Sequence, residues 1–306
     1  MQPMPVDVLC IGHAAYDVSM FVEEFPAENS KRETHALLQS GGGPAANAAC
    51  LLSSWGSRCA FAGLVGDDDY GRRIREEFET AGTDISLLEL RPGYDTPLSF
   101  ILVNQKNGSR TIVNRKARKL ALDVSAAKLA ALSPSMLVFD GHELPASLVA
   151  LQTFPDAISI LDAGSWREGT AKLAGLVDYL VTSEPFAMRA SGVAELGSDE
   201  AQRACVRELR DRFGVITVVT LGENGLIADD GNGFRHIRAY PAEAVDTTAA
   251  GDIFHGALVF AIASKMAFEE SLRFAAMAAS LSVRMAGGRA SIPPLDQVRE
   301  ALSHAR

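Results

Sequence analysis

Cysteine is scarce in this chain, with 4 among 306 residues. Cys10, Cys50, Cys59 and Cys205 form no C-x-x-C pair and meet no histidine at zinc-ligand spacing. A disulfide framework and a cysteine-built metal site are therefore not expected, and reduced, buried thiols are. Positive charge is also short: 29 Lys and Arg stand against 38 Asp and Glu, for a formal net charge of -9. That balance argues against nucleic acid or an anionic membrane surface as the main partner. No stretch approaches the roughly 18 consecutive apolar residues of a membrane span, and "MQPMPVDVLC" lacks the basic-then-apolar pattern of a secretory leader, so the cytoplasm is the expected location. The chain also lacks a G-x-x-x-x-G-K-[ST] loop, an H-R-D or D-F-G set, internal repeats and low-complexity linkers.

What is present is the composition of a soluble globular enzyme, 47% hydrophobic and 22% charged. The length lies near the upper edge of what one core supports, so residues 1–306 are read as one α/β domain carrying an appendage. "VDVLCIG" and "CAFAGLVG" read as buried strands. Pro44 suits the first turn of a helix over 45–52, and "DDDYGRRIREEFETAG" is an amphipathic helix ending at Gly82. From residue 126 the runs "SMLVFDG", "AISILDAG", "DYLVTSE" and "GVITVVTLG" alternate with helical segments, which predicts parallel strands joined by helical crossovers. Helices are expected over 251–264 and 268–285.

Two segments break this rhythm. Residues 13–40 and 93–116 are expected to make small antiparallel excursions, the second a hairpin turning at Asn107-Gly108. Neither is long enough for a core, so both are read as a β-stranded lid on the main sheet. "GLIADDGNGFRHIRAY" reads as a further hairpin. The densest basic run, "SRTIVNRKARK", carries Arg110, Arg115, Lys116, Arg118 and Lys119 and reads as a solvated face or a small-anion contact.

The stretch "AVDTTAAGDIFHGAL" places Asp246 and Asp252 among residues suited to close packing. A tight small-residue turn there leads into a buried helix, so the backbone N–H groups of Ala249, Ala250, Gly251 and Asp252 are the unpaired donors of a helix start, a place for a phosphate-sized anion. A carboxylate at that spot would repel the anion. It is explained if Asp252 takes a proton from a hydroxyl attacking the phosphate, or if it is simply a helix cap.

"VDTTAAGDIFHGAL" resembles the C-terminal signature of the ribokinase-like (PfkB) family of sugar and nucleoside kinases. "GGGPAANAACLLSSWG", "FAGLVGDDDYG", "VVTLGENG" and "GGRASIP" match further family blocks in the same order across nearly the whole chain. The resemblance implies a ribokinase-like fold, a predominantly parallel sheet flanked by helices under a small β-stranded lid. It implies ATP-dependent phosphorylation of a sugar hydroxymethyl group with Mg²⁺, and a homodimer formed through the lid. By position, Asp252 would be the general base and the amides of Ala249, Ala250 and Gly251 the anion hole. Asp17, Gly42, Gly43 and Asn47 would hold the sugar, with Glu143 as a further substrate-side group. Thr220, Gly222 and Gly225 would lie along the nucleotide, and Gly288 near the adenine. A monovalent cation such as K⁺ would sit near Asp246, Thr248 and Ser291.

The chain departs from the family pattern in two places. Where the family's N-x-x-E motif for Mg²⁺ should fall, Ser183 replaces Asn and Phe186 replaces Glu, leaving Glu184 as the nearest carboxylate for the metal. Ala249 replaces the commoner Gly. The sugar is not named by the sequence: the blocks look most like the branch of sulfofructose kinase and related ketose kinases, with ribose the other candidate. An anionic acceptor would be met by Arg110 or Arg115. His255, next to the turn, reads as a pocket wall or a participant. Two other readings fit parts of the pattern. Gly41-x-Gly43-x-x-Ala46 with Asp67 satisfies a relaxed dinucleotide fingerprint of an NAD-dependent oxidoreductase, but without a preceding strand of a first βαβ unit. A non-catalytic sugar sensor on the same fold would be expected to have lost Asp252 or the anion hole.

Overall fold

A computed structural model describes residues 6–116 and 120–305. Arg118 and Lys119 of the basic run lie outside the described residues. The main sheet has 9 strands in the order β13-β12-β11-β10-β9-β8-β1-β4-β5. They are β1 (Val8–Ile11), β4 (Cys59–Gly66), β5 (Asp84–Arg91), β8 (Met136–Phe139), β9 (Ile158–Ala163), β10 (Tyr179–Ser183), β11 (Ile216–Thr220), β12 (Leu226–Asp229) and β13 (Phe234–Ile237). Pairing is parallel from β5 through β11, and only the β12 and β13 hairpin edge is antiparallel.

Alternation along β1 divides the core. Val8 and Cys10 point into one cluster, while Leu9 and Ile11 point into the other. The first cluster is closed by α1 (Pro44–Ser54), α2 (Asp69–Ala81), α8 (Ala250–Ala263), α9 (Phe268–Ser282) and α10 (Leu295–His304). The second lies under α3 (Ala126–Ala130), α4 (Leu144–Thr153), α5 (Glu168–Leu173), α6 (Glu184–Ser191) and α7 (Asp199–Phe213). Strands covered on both faces must be apolar throughout, which is why "CAFAGLVG" is buried along its whole length. All four cysteines are free and buried. Among the described residues no helix is long and apolar enough to cross a membrane.

Local chemistry sets the helix ends. The Asp68 side chain accepts the Gly71 N–H, and Gly82 takes the left-handed conformation that ends α2. Gly43, at φ 104, starts α1, where an added Cβ would stand 2.3 Å from the His13 carbonyl oxygen.

The two excursions form one sheet of 4 strands, ordered β3-β2-β6-β7, from β2 (Ala15–Val22), β3 (Leu37–Gly42), β6 (Leu98–Asn104) and β7 (Arg110–Arg115). The β2–β3 and β6–β7 pairs are antiparallel as expected, but β2 and β6 pair in parallel, so the lid is a mixed sheet. The reason is topological. β2 leaves the C-terminal end of β1, and β6 follows β5, which runs the same way, so both emerge from one edge of the main sheet in one direction.

Candidate active site

The chain builds outward from β1 in both directions, through β4 and β5 on one side and through β8 to β11 on the other. The crevice at the C-terminal ends of strands where the order reverses is where open α/β sheets bind ligands. Here it lies between β1 and β8 and is roofed by the lid.

Asp252 enters this crevice from the first turn of α8. The intrahelical ladder begins with Ile253 N–H donating to the Ala249 oxygen, so the N–H groups of Gly251 and Asp252 precede it. Ala250 N–H is spent on a 3.3 Å bond to the Thr247 oxygen, which leaves Ala249, Gly251 and Asp252 as the better donors. Gly251 is exposed, and a Cβ there would meet nothing within 4 Å, so the space above the turn is open. Ala249 holds φ 60, a left-handed conformation that L-residues adopt at a cost, and here it turns the helix start toward the crevice.

The Asp252 carboxylate accepts the Asn47 Nδ2–H at 2.7 Å. Its carboxyl is pushed up to about 7, chiefly by burial and then by the charge of Asp162, while the Asn47 bond, His255 and Arg110 work the other way. Asp162, at the end of β9, is itself raised by burial. His255 Nδ1 lies 3.2 Å from Asp162 Oδ2 and 2.6 Å from the Gly251 oxygen, and Nε2 lies 3.3 Å from the Val181 oxygen. His255 is thus a buried brace between α8, β9 and β10.

At the reversal point, the Asp140 carboxylate collects the backbone N–H groups of His13, His142 and Ala45. Burial opposes its ionisation, but His142 and the N–H groups of His13 and His142 outweigh it and hold the carboxyl below the usual range. The His13 and His142 rings stack at 4.1 Å and 9°. Burial moves both imidazoles below their usual range, and the stacked pair walls the crevice.

The expected sugar residues converge. Gly42 passes so close to Asp17 that a Cβ would stand 2.0 Å from Oδ2. Burial pushes Asp17 up, and its bond with Ser99 opposes this. Asn47, one turn into α1 from Gly43, joins this group to Asp252. Arg110 Nη1 donates to Thr247 Oγ1 at 2.6 Å and acts electrostatically on both Asp17 and Asp252, so the lid hairpin reaches the turn that starts α8. Arg115 turns away to the Thr96 oxygen at 2.7 Å. The Glu143 carboxylate is engaged by the Leu122 N–H at 2.8 Å, which ties it to the chain entering α3 rather than to the groups around Asp252.

The expected nucleotide residues separate. Gly222 is exposed with open space around it, whereas Thr220 donates its hydroxyl to the Thr182 oxygen across β11 and β10. Gly225 is required by its turn, since a Cβ there would stand 2.1 Å from the Ile237 oxygen. Gly288 lies against Ala249, Thr248 and the Asn47 amide, with its would-be Cβ 3.4 Å from the Ala249 Cβ. The C-terminal loop thus folds back on the start of α8 and sets Gly288 beside Ala249.

Asp246 is buried and uses both carboxylate oxygens, one on Thr248 N–H and one on Gly287 N–H, each at 2.9 Å, which clamps the anion-hole turn to the C-terminal loop. Among the described residues Thr248 Oγ1 is buried without a hydrogen-bond partner, while the Ser291 hydroxyl donates to the Gly288 oxygen at 2.8 Å. Ser183 caps α6 by accepting the Phe186 N–H, and Phe186 is fully buried beside Trp166. Among the described residues no three His, Cys, Asp or Glu side chains converge as a metal site.

Sequence reasoning missed Asp140, Asp162, the His13–His142 stack, and Arg289 with Glu77. A strand ending in Asp, as in "VFDG" and "ILDAG", was the available signal for the carboxylates. Nothing local marks the others. The dinucleotide fingerprint is overturned by placement: a strand does precede its glycines, but it is the lid strand β3, and Asp67 is paired with Arg72 in an exposed loop.

Residues 6–295 match the family model described as pfkB family carbohydrate kinase. A ribokinase of Staphylococcus aureus is 29% identical over 303 residues, covering 96% of this chain and 98% of its own. A ketohexokinase of Mus musculus is 27% identical over 298 residues, covering 92% and 97%. The structure of Arabidopsis thaliana ribokinase complexed with ribose and ATP shares the fold at a TM-score of 0.81, with 23% identity over 97% of this chain and 99% of that one.

Proposed function

This chain belongs to the pfkB family of carbohydrate kinases, and on that premise we propose that it phosphorylates a hydroxymethyl group of a sugar, a ketose, sulfo-sugar or ribose, with ATP as donor and Asp252 as general base. The observation that supports this best is that a partly buried carboxylate, an open helix start and the Asp17–Gly42–Asn47 cluster meet in one place.

In this reading the sugar hydroxyl lies against Asp252 while its neighbours bond to Asp17 and Asn47. The hydroxyl oxygen attacks the terminal phosphorus, its proton passes to the Asp252 carboxylate, and the bond from phosphorus to the bridging oxygen breaks, leaving ADP. The N–H groups of Gly251 and Asp252 stabilise charge on the transferring group. Arg110 adds a positive charge from the lid, whose closure would exclude water. A carboxyl near neutrality suits this task, because a base with the ordinary carboxylate affinity would take the proton less readily.

Mg²⁺ would neutralise charge on the nucleotide phosphates. With Ser183 and Phe186 committed to capping and packing, Glu184 is the carboxylate left in that segment to meet it through water. The unpaired Thr248 Oγ1 fits a monovalent cation such as K⁺ beside the anion hole.

A homodimer through the lid is supported by register: Met20, Leu37, Phe100 and Val113 fall on the lid face opposite Asp17 and Ser99, and all four are exposed.

The test is a coupled ADP-release screen over ribose, fructose, fructose 6-phosphate, sulfofructose and nucleosides. Turnover stimulated by one acceptor supports the reading. Binding of a sugar without ADP release would favour a sensor instead.

A further inference from the structure

Arg289 carries its charge into the interior beside Asn47 and Phe78. It begins the single turn Arg289–Ser291 after the C-terminal loop, and its side chain is 8% exposed. Nη1 pairs with Glu77 Oε2 at 2.8 Å, the guanidinium carbon lies 4.7 Å from the centre of the Phe78 ring, and Nε donates to Asn47 Oδ1 at 3.2 Å. Nη2 is buried without a partner among the described residues. A buried guanidinium with an unpaired donor is costly. An apolar side chain would fill the space beside Phe78 at lower cost, so the charge calls for a reason.

The reason lies in the asymmetry of the Asn47 amide. Its Nδ2 faces Asp252 and its Oδ1 faces Arg289. Guanidinium only donates, so the amide edge facing it must be the oxygen, and the NH₂ must then face Asp252. Without Arg289 the amide can turn over and set an oxygen against the carboxylate. The other half of the network reaches the lid. Glu77, on α2, accepts the Gly41 N–H at 2.9 and 2.8 Å on its two oxygens, and Gly41 lies at the end of β3. A Cβ on Gly41 would stand 2.2 Å from Arg289 Nη1, so the strand and the guanidinium are in direct contact.

We infer that Arg289 is a positioning residue for phosphoryl transfer: it fixes the Asn47 amide so that its NH₂ holds Asp252, and through Glu77 it ties that arrangement to the root of lid strand β3. This rests on the reading of Asp252 as general base. The charged groups that face Asp252 from the surrounding elements are Asp162 on β9, His255 on α8 and Arg110 on β7; Asn47 supplies the neutral donor from α1.

The experiment measures kcat, both KM values and the pH profile of kcat for Arg289→Leu, Arg289→Lys and Glu77→Gln, each normalised to folded protein. Arg289→Leu should lower kcat about tenfold or more, the scale of one lost charge-assisted bond. Its acid limb should move to higher pH, because a turned or mobile amide no longer favours the ionised carboxylate, while the KM for ATP stays within about twofold. Arg289→Lys should restore part of kcat and part of the limb, and Glu77→Gln should fall between. If Arg289→Leu does not fold, the other two variants carry the test. Wild-type acid limbs in the folded variants, with kcat lost only in proportion to stability, would overturn the inference. Asp252→Asn, measured in parallel, separates the two readings: if it stays active, the general-base assignment fails, and if it is inactive while the limbs do not move, only the positioning role does.

Discussion

Asn47 Nδ2 lies 2.7 Å from Asp252 Oδ2, a bond that spans 205 positions of sequence and joins the first helix of the chain to the eighth. It places a side-chain donor on a carboxylate that burial otherwise holds near neutrality. The first two predictions concern this pair.

Asp252→Asn should lower kcat about 10²-fold to 10⁴-fold with little change in sugar or ATP KM, the range for a positioned base. The same variant should be more stable at pH 8. The folded-state affinity for the proton, near pH 7, exceeds the unfolded value of 3.8. The folded protein therefore binds more protons between those limits, and stability falls as pH rises from 3.8 to about 7. Asparagine removes that penalty, so its Tm should exceed wild type above neutrality and converge toward it at acid pH. A lower Tm at pH 8, or retained kcat, would count against the assignment.

The acid limb of the wild-type kcat profile should fall near pH 7, well above the ordinary carboxylate range. Asn47→Ala removes the donor that favours the charged form, so its limb should move to still higher pH. A limb near pH 4 in wild type would show that the titrating group is not this carboxyl.

Ala249→Gly should relieve the left-handed conformation at φ 60 without removing its N–H group. Activity should be kept, and stability should change by no more than about 1 kcal/mol, toward the stable side. Chemical denaturation with kcat in hand checks this. A large loss of kcat would mean that the methyl group, which touches the Gly288 side of the loop, shapes the anion hole.

K⁺ should raise kcat relative to Na⁺ or a bulky organic cation at matched ionic strength. Thr248→Val, which deletes the unpaired hydroxyl, should weaken that response and raise the K⁺ concentration for half-activation. Equal rates in all three cations would remove the claim.

Phe100→Glu should abolish the proposed lid dimer in sedimentation, because it puts a charge in the middle of the exposed apolar lid face with Met20, Leu37 and Val113. An unchanged sedimentation coefficient would place any dimer contact elsewhere.

The sequence by itself determined most of the elements and pointed to the candidate site. Apolar runs without alternation marked strands covered on both faces, Asn107-Gly108 marked the lid hairpin, and the small-residue turn before a buried helix marked Asp252. Each is a local pattern, because strand burial, turn dihedrals and helix starts are decided within a few residues. The tertiary structure decided what those patterns meet. That β2 and β6 run parallel follows from where their parent strands end, which no window of sequence contains. That Gly288 sits beside Ala249 follows from the fold of the C-terminal loop onto the start of α8. Arg289 and Asn47 are 242 positions apart, the Asp162–His255 pair joins β9 to α8, and the His13–His142 stack joins the ends of β1 and β8. Such contacts are set by the sheet order and by how α1, α8 and the last loop pack over it. They arise only when the chain closes on itself, because their partners share no periodicity and no spacing that could have announced them.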